Sequence, residues 1–156
     1  MDYIQYIRKQ VGNNKIILNA AGAVIVKDNK VLYQHRKDNG KWGIIGGILE
    51  LDETYEEACI REIKEETGLD VKLEYLLGIF HNYDMKWPSK DKAHVIGAYY
   101  VASVVGGNLQ IDDESLELVF CDKEHMPPLF AKDHQEAVKA YYDGVKLPLL
   151  LENKKK

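Results

Sequence analysis

A run of glutamates between Gly47 and Leu69 is the part of the sequence best suited to chemistry. It contains Glu53, Glu56, Glu57, Glu62, Glu65 and Glu66, and its only basic residues are Arg61 and Lys64. Carboxylates this dense repel one another, so we expect a bound cation among them. Hard oxygen ligands favour Mg²⁺, with Mn²⁺ as the other candidate, and Mg²⁺ binds through a few carboxylates together with substrate phosphates. The run therefore predicts a metal site for a phosphate-bearing substrate.

The run must be helical for these carboxylates to meet, because residues three or four apart lie on one face of a helix. On a helix, Glu62, Glu65 and Glu66 converge on one side. The residues predicted to pack on the apolar side are Ala58, Ile60 and Ile63. A solvated, charged helix surface is the alternative interpretation of such a run.

Glycines stand before and after the predicted helix. Gly68 predicts its end, since glycine adopts the left-handed conformation at little cost. Gly46 and Gly47 let the backbone approach a ligand closely and leave a carbonyl free for a metal. We therefore expect a loop with accessible backbone beside the acidic face of the helix.

Nine residues in this run have a defined spacing. The order is Gly47, five residues, Glu53, seven residues, Arg61-Glu62-Ile63, one residue, Glu65-Glu66, one residue, and Gly68-Leu69. This pattern resembles the complete box of the Nudix (MutT-like) hydrolases, which cleave nucleoside diphosphates linked to another moiety. Similar proteins often carry proline where Ile45 stands and glycine where Asp52 stands, but neither is a defined position of the box.

The resemblance implies roles for the residues of the box. It assigns metal binding first to Glu62 and Glu66, then to Glu65, with the carbonyl of Gly47 as a further ligand. It implies that Arg61 and Glu53 form an ion pair that holds the loop to the helix, and a purely structural role for this pair is favoured.

The resemblance leaves the general base open, because relatives use either a glutamate of the box or a carboxylate from a later loop. Glu65 is the candidate inside the box. Outside it, the segment 112–117 (DDESLE) precedes a predicted strand that should approach the box, and Glu117 is the first choice. For Asp112 and Asp113, a solvated turn is the favoured interpretation.

Five residues outside the box are candidates for substrate contacts. Arg36 and Lys37 end a predicted strand and could bind phosphate oxygens, since a guanidinium matches them bidentately, although an ordinary surface pair is equally expected. Trp42, Tyr83 and Trp87 could stack on a base. Core packing is the alternative for Trp42, and surface exposure without a role is the alternative for Trp87. The five histidines have no ligand spacing and are expected to be structural or solvent-exposed.

Length and composition predict one domain, residues 1–156, because a chain that is 46% hydrophobic can form a single core. The net charge of −4 argues against binding long nucleic acid, which basic surfaces drive. Cys59 and Cys121 have neither metal-ligand nor redox spacing and are expected to be reduced. No apolar run approaches the length of a membrane span, so we expect no membrane partner and a cytoplasmic location.

The pattern along the chain predicts an α+β fold. Helices are expected at residues 2–11 and 133–143, and strands at 16–27, 30–36, 42–45, 71–82, 94–105 and 117–121, with a hairpin joining the first two strands. Gly78 is expected to mark a bulge, and residues 83–92 an exposed loop. Residues 144–156 combine LPLLL with a terminal run of three lysines. These leucines could cover an edge of this domain or of a second subunit, so a homodimer is one expectation. The resemblance implies an α/β/α sandwich around a central mixed β-sheet.

The function that the resemblance implies is hydrolysis of a diphosphate bridge by metal-activated attack of water on phosphorus. ADP-ribose or a nucleotide sugar is the favoured substrate. The alternatives are a house-cleaning pyrophosphatase for oxidised nucleoside triphosphates and a non-catalytic nucleotide-sensing domain, which the complete set of box carboxylates disfavours. A 5′-end RNA pyrophosphohydrolase is a third alternative, and the acidic net charge weighs against it.

Overall fold

A mixed β-sheet lies between helices in the computed structural model, which describes residues 2–145. The elements in chain order are α1 (Tyr3–Val11), β1 (Ile16–Lys27), β2 (Lys30–Arg36), β3 (Trp42–Gly43), β4 (Ile45–Ile48), α2 (Tyr55–Thr67), β5 (Leu69–Lys86), β6 (Lys92–Gly107), β7 (Ser115–Cys121), a 3₁₀ turn (Lys123–His125) and α3 (Lys132–Tyr142). No helix within this part of the chain is both long and apolar enough to cross a membrane. The predictions for the tail from residue 146 onward lie outside the described residues.

Strand β1 is the centre of the sheet. It pairs in parallel with β6 from Ile16 opposite Ala93 to Val26 opposite Ser103, and it pairs antiparallel with β2 and β4. Strand β5 forms the far side of β6, while β3 and β7 both pair with β2. The predicted mixed central sheet and the predicted hairpin of β1 with β2 are confirmed.

Helices cover both faces of the sheet. On one face, Ile63 of α2 is buried in a core that includes Ala21 and Ile45. On the other face, Ala137 and Val138 of α3 pack in a second core that contains Phe80, Tyr99 and other large side chains. This arrangement confirms the α/β/α sandwich and places the acidic helix α2 directly against β1 and β4.

The apolar side of α2 differs from the prediction at one residue. Ile60 was expected to pack inward but is 44% exposed. Cys59 is fully buried in its place, together with Ala58 and Ile63. Residues one apart on a helix lie about 100° apart around its axis, so Ile60 falls outside the arc that Ala58, Cys59 and Ile63 share.

Two predicted strand boundaries were also wrong. The segment 42–45 is divided at Ile44 into β3 and β4, because the first pairs with β2 and the second with β1. Half of the predicted loop at 83–92 is strand, since β5 continues through Tyr83 to Lys86 and β6 begins at Lys92, with residues 87–91 forming the turn. Register shifts at Leu76/Gly78 and Asn82/Met85 allow β5 to follow β6 over this length, and the first confirms the bulge at Gly78.

The ends of α2 follow ordinary capping rules. The hydroxyl of Thr54 accepts a hydrogen bond from the amide of Glu57 at 3.0 Å, and the carboxylate of Glu57 accepts one from the amide of Thr54 at 3.3 Å. Gly68 ends the helix in the left-handed conformation with φ of 77°. Asp52, where similar proteins often carry glycine, also has a positive φ of 66°. The loop before α2 therefore uses a backbone conformation that glycine would adopt more easily.

Loss of the Thr54 cap is expected to weaken α2. Thr54→Ala should lower the free energy of unfolding by about 1 kcal/mol, because the amide of Glu57 loses its acceptor at the helix N-terminus. Thr54→Ser keeps the hydroxyl and should retain most of the stability. Chemical denaturation of the three proteins measures this difference, and equal stability of Thr54→Ala and Thr54→Ser would contradict the capping role.

Candidate active site

A cavity of about 260 Å³ lies between the acidic face of α2, the loop before β7 and the start of α3. Glu62 and Glu66 contribute from α2, and Glu114 contributes from the loop. Arg36 at the end of β2 also lines the cavity. These three carboxylates and the guanidinium therefore share the same space, which the carboxylates of Asp2, Glu50 and Asp133 also line.

Glu66 is the most buried of these carboxylates, with 5% of the residue exposed. Its Oε2 atom has no hydrogen-bond partner among the described residues. Burial, followed by the negative charges of Glu62 and Glu114, raises the pKa of Glu66 well above its usual range. A buried acceptor without a partner is costly, and a cation at this oxygen would offset that cost.

Glu62 rests against the backbone of Gly47. A Cβ atom at residue 47 would lie 2.5 and 2.6 Å from the two carboxylate oxygens of Glu62, so only glycine fits there without displacing the carboxylate. Burial raises the pKa of Glu62, and the neighbouring Arg61 opposes this effect. The glycine predicted for close approach thus forms a cradle for a carboxylate of the site.

The donors in the cavity fit a hard divalent cation. Glu62, Glu66 and the carbonyl of Gly47 offer oxygen atoms, which is the chemistry that Mg²⁺ and Mn²⁺ prefer. Within residues 2–145, no three His, Cys, Asp or Glu side chains are grouped as a complete ligand set.

Arg61 connects the loop before α2 to the acidic face of the helix. Its guanidinium donates to Glu53 at 2.6 and 2.8 Å, to Glu62 at 2.9 Å and to Glu65 at 3.3 Å. It also donates to the carbonyl of Ile48 at 3.3 Å. The pKa of Glu53 is lowered, chiefly by its hydrogen bond with Arg61. The ion pair implied by the resemblance is therefore present, and it also holds Glu62 in position.

Removal of the Arg61 guanidinium should destabilise the protein. We expect Arg61→Met to lower the free energy of unfolding by about 2 to 3 kcal/mol, because Glu53 and Glu62 would remain partly buried without their partner. The loss of stability should be smaller than for a fully buried ion pair, since 27% of the Arg61 side chain is exposed. Thermal and chemical denaturation measure this loss.

Arg61→Lys is the matched control for this prediction. Lysine keeps the charge but cannot donate in a fork to Glu53, so its stability should lie between that of the wild type and that of Arg61→Met. Wild-type stability of Arg61→Met would contradict the structural role of this network.

The two candidates for the general base both lie outside the cavity lining. The side chain of Glu65 is 57% exposed and faces Arg61. Glu117 lies in β7 opposite His35, with its carboxylate 3.4 Å from His35 Nδ1 and a side chain that is 52% exposed. Glu117 is therefore outside the residues that line the cavity, and its role as the base stays a prediction. Glu114, from the same acidic segment, lines the cavity instead because it lies in the turn before β7 begins.

The candidate substrate contacts divide into two groups. Arg36 and Trp87 line the cavity. Arg36 is held by Asp38 through two hydrogen bonds of 3.0 and 2.8 Å. Trp42 and Tyr83 are outside the lining, since Trp42 stacks on His35 at 4.6 Å and packs in the core, and Tyr83 stacks on His81 at 5.3 Å. For Trp42, the core interpretation is therefore the better one.

Among the lining residues that the sequence did not single out for the site are Phe130, Asp133 and His134. They come from the start of α3 and the residues before it. A local signal was present only for Asp133, an acidic residue in the first turn of a predicted helix. Its position beside the box carboxylates depends on how α3 packs on the sheet, which no local pattern reveals.

Comparison with known proteins agrees with this geometry. A family model described as the NUDIX domain matches residues 17–141. An ADP-ribose pyrophosphatase of Methanocaldococcus jannaschii is 41% identical over 126 residues, which cover 78% of this chain and 71% of the relative. A putative 8-oxo-dGTP diphosphatase of Bacillus subtilis is 25% identical over 78% of this chain and 76% of its own length.

A solved structure supports the same relationship. The MutT NUDIX hydrolase from Burkholderia pseudomallei superposes with a TM-score of 0.70 at 27% identity, covering 80% of this chain and 97% of that protein. The matched family model spans most of the elements that form the cavity, from β1 to most of α3, while α1 lies outside it. The chain therefore belongs to the Nudix family.

Proposed function

We propose that this protein is a pyrophosphohydrolase that cleaves the diphosphate bridge of a nucleoside diphosphate linked to another moiety, with ADP-ribose as the favoured substrate. The observation that carries this proposal is the buried, unpartnered Oε2 of Glu66 beside Glu62 and the glycine cradle at residue 47. The relative named ADP-ribose pyrophosphatase supports the choice of substrate.

Each residue of the cavity has a defined part in this proposal. Glu62, Glu66 and the carbonyl of Gly47 would hold Mg²⁺ or Mn²⁺. When bound, such a cation neutralises phosphate charge and lowers the pKa of water. Arg36 binds phosphate oxygens of the substrate in place of Asp38, since both a carboxylate and a phosphate present two oxygens that match the fork of its planar guanidinium. Trp87 contacts the organic part of the substrate.

Glu114 is the proposed general base. It shares the cavity with Glu66, so its carboxylate can accept the proton of a water that attacks phosphorus. Arg61 acts indirectly, by keeping Glu62 against Gly47. These assignments give Glu114 the role that the sequence favoured for Glu117, while Glu65 remains a partner of Arg61.

A hydrolysis screen tests the proposed function. The full chain is incubated with Mg²⁺ or Mn²⁺ and with ADP-ribose, nucleotide sugars, CDP-alcohols, dinucleoside polyphosphates, or normal and oxidised nucleoside triphosphates, and the products are separated by chromatography. We expect ADP-ribose to yield AMP and ribose 5-phosphate. Preferred release of diphosphate from an oxidised triphosphate would replace the proposed substrate, and nucleotide binding without turnover would favour a sensor.

A further inference from the structure

Helix α1 forms a wall of the cavity at the end opposite the start of α3. Asp2 and Ile4 line this end together with Glu50, Met85 and Trp87, and these five residues are here called the α1 end. The side chains of Ile4, Met85 and Trp87 pack on a third apolar core, which is separate from the cores under α2 and α3. The cavity therefore has two ends built on different parts of the sheet.

Strand β4 runs along the cavity from one end to the other. The amide of Ile44, just before β4, donates to Nδ1 of His134 in α3 at 3.2 Å. Ile48, the last residue of β4, packs on the core of the α1 end. Gly47, which cradles Glu62, lies between them, and the four residues of β4 span about 10 Å. A diphosphate held beside Glu62 would therefore direct its two substituents to opposite ends of the cavity.

Specific contacts hold α1 in this position. The amide of Tyr3 donates to Oε2 of Glu50 at 2.9 Å, which ties the helix to the loop before α2. The guanidinium of Arg8 donates to the carbonyl of Lys92 at 2.8 Å, and its Nε lies 3.7 Å from Asp91. These contacts tie the helix to the turn between β5 and β6. The α1 wall is thus joined to the fold on two sides.

The two ends of the cavity differ in charge. Asp2 and Glu50 place two carboxylates at the α1 end. Among the described residues that line the cavity, Arg36 is the only lysine or arginine, and its guanidinium lies over the Phe130 ring, 5.6 Å from the ring centre, on the α3 side. Carboxylates repel a phosphate but accept hydrogen bonds from hydroxyl groups. The α1 end therefore suits a neutral group with hydroxyls.

The apolar side chains of the α1 end narrow this choice further. Ile4, Met85 and Trp87 provide apolar and aromatic surface beside the two carboxylates. Ligand sites commonly combine such surface with a few polar groups that fix orientation. A sugar ring matches both features, because its C–H faces pack on an aromatic ring while its hydroxyls donate to carboxylates. A purely aliphatic group would remove water from the carboxylates without replacing its hydrogen bonds.

We propose that the α1 end binds the non-nucleoside moiety of the substrate and selects a neutral, hydroxyl-bearing group over one that carries a phosphate. This inference rests on the proposed function and specifies the class of moiety. Asp2 and Ile4 precede residues 17–141, which the NUDIX family model matches. The selectivity therefore depends in part on residues that this chain adds to the matched domain.

The test compares two substrates that differ by one phosphate. ADP-ribose has a neutral terminal ribose, and ADP-ribose 1″-phosphate carries a phosphate on that ribose. At low ionic strength, wild-type protein with Mg²⁺ should show a kcat/KM about 10- to 100-fold higher for ADP-ribose. Added salt should reduce this ratio, since it screens charges that solvent reaches. Equal kcat/KM values for the two substrates would overturn the proposal, as expected if the nucleoside occupied the α1 end.

Asp2→Asn and Glu50→Gln, made singly, should each lower this ratio by about 3- to 10-fold. Both substitutions remove a charge and keep the shape, because asparagine still caps α1 and the glutamine carbonyl can accept from the amide of Tyr3. Asp84→Asn is the matched control. Asp84 is exposed, lies 3.5 Å from Lys15 and is outside the cavity lining, so its ratio should equal that of the wild type. Folded Asp2→Asn and Glu50→Gln proteins that both retain the wild-type ratio would contradict the role of these carboxylates.

Equilibrium binding separates this inference from the proposed function. ADP-ribose and ADP-ribose 1″-phosphate can be compared by calorimetry even if the wild type hydrolyses neither, a result that would defeat only the proposed function. Tighter binding of ADP-ribose by the wild type, with a smaller difference in Glu50→Gln, supports the selectivity of the α1 end. Equal binding of the two nucleotides, or no binding of ADP-ribose, contradicts it without reference to any variant.

Discussion

Glu66→Gln is expected to lower the rate of hydrolysis by about 100-fold or more at limiting Mg²⁺. Glutamine has the size of glutamate, but it removes a negative charge from the oxygen that has no partner in the protein. The loss should be partly recovered at high Mg²⁺ concentration if the defect is in metal affinity. Rates measured across a Mg²⁺ titration give this result directly.

The same variant should be at least as stable as the wild type without metal. Burial and two neighbouring carboxylates disfavour a charge at Glu66, so a neutral amide relieves repulsion. Added Mg²⁺ should raise the melting temperature of the wild type more than that of Glu66→Gln, since a ligand stabilises the state that binds it. Loss of activity through unfolding would instead appear as a lower melting temperature without metal.

Glu65→Gln is the comparison for this experiment. Glu65 is on the same helix, but its side chain faces Arg61 and is largely exposed. We expect about a tenfold loss of rate, the lower end of the range for a residue that acts only through its neighbours. An equal loss of rate in both variants would indicate that Glu65 is itself a metal ligand or the general base.

Glu114→Gln should reduce kcat by about 10² to 10⁴-fold, the usual contribution of a general base. The variant retains the shape of the side chain and the turn before β7, in which the amide of Glu114 donates to Asp112 at 3.0 Å. Substrate binding should change little, because the lost interaction belongs to the transition state. Steady-state kinetics with saturating Mg²⁺ separate these two effects.

Glu117→Gln provides the control from the same segment. Its carboxylate pairs with His35 on the exposed side of β7, so near wild-type rates are expected. If Glu117→Gln lost activity while Glu114→Gln retained it, the proposed base would be wrong. Glu117, which the sequence favoured, would then be the base.

The sequence predicted the site best where the residues involved are close together in the chain. Residues 47–69 defined a helix with carboxylates on one face, and the structure places Glu62 and Glu66 together in one cavity. The choice between Glu114 and Glu117 was not local. It depends on the residue at which β7 begins to pair with β2, and the segment DDESLE offers a carboxylate at nearly every position.

The other positions that the sequence did not predict depend on contacts between segments far apart in the chain. Tyr83 is in a strand because β6 continues alongside, even though the residues after it are polar and include Pro88. Asp133 enters the cavity because Tyr99 of β6 lies beneath the start of α3, a contact between residues far apart in the chain. Patterns within a single segment cannot reveal such contacts.

The parallel ladder between β1 and β6 links folding of the first half of the chain to synthesis of the second. Ile16 is made long before its partner Ala93, and β1 is buried along most of its length. A nascent chain that ends before β6 would therefore present an unpaired apolar strand edge, the kind of surface that promotes aggregation. Non-local pairing of this kind also slows folding. Because β1 would lack its partner β6, we expect proteins truncated before residue 107 to be insoluble.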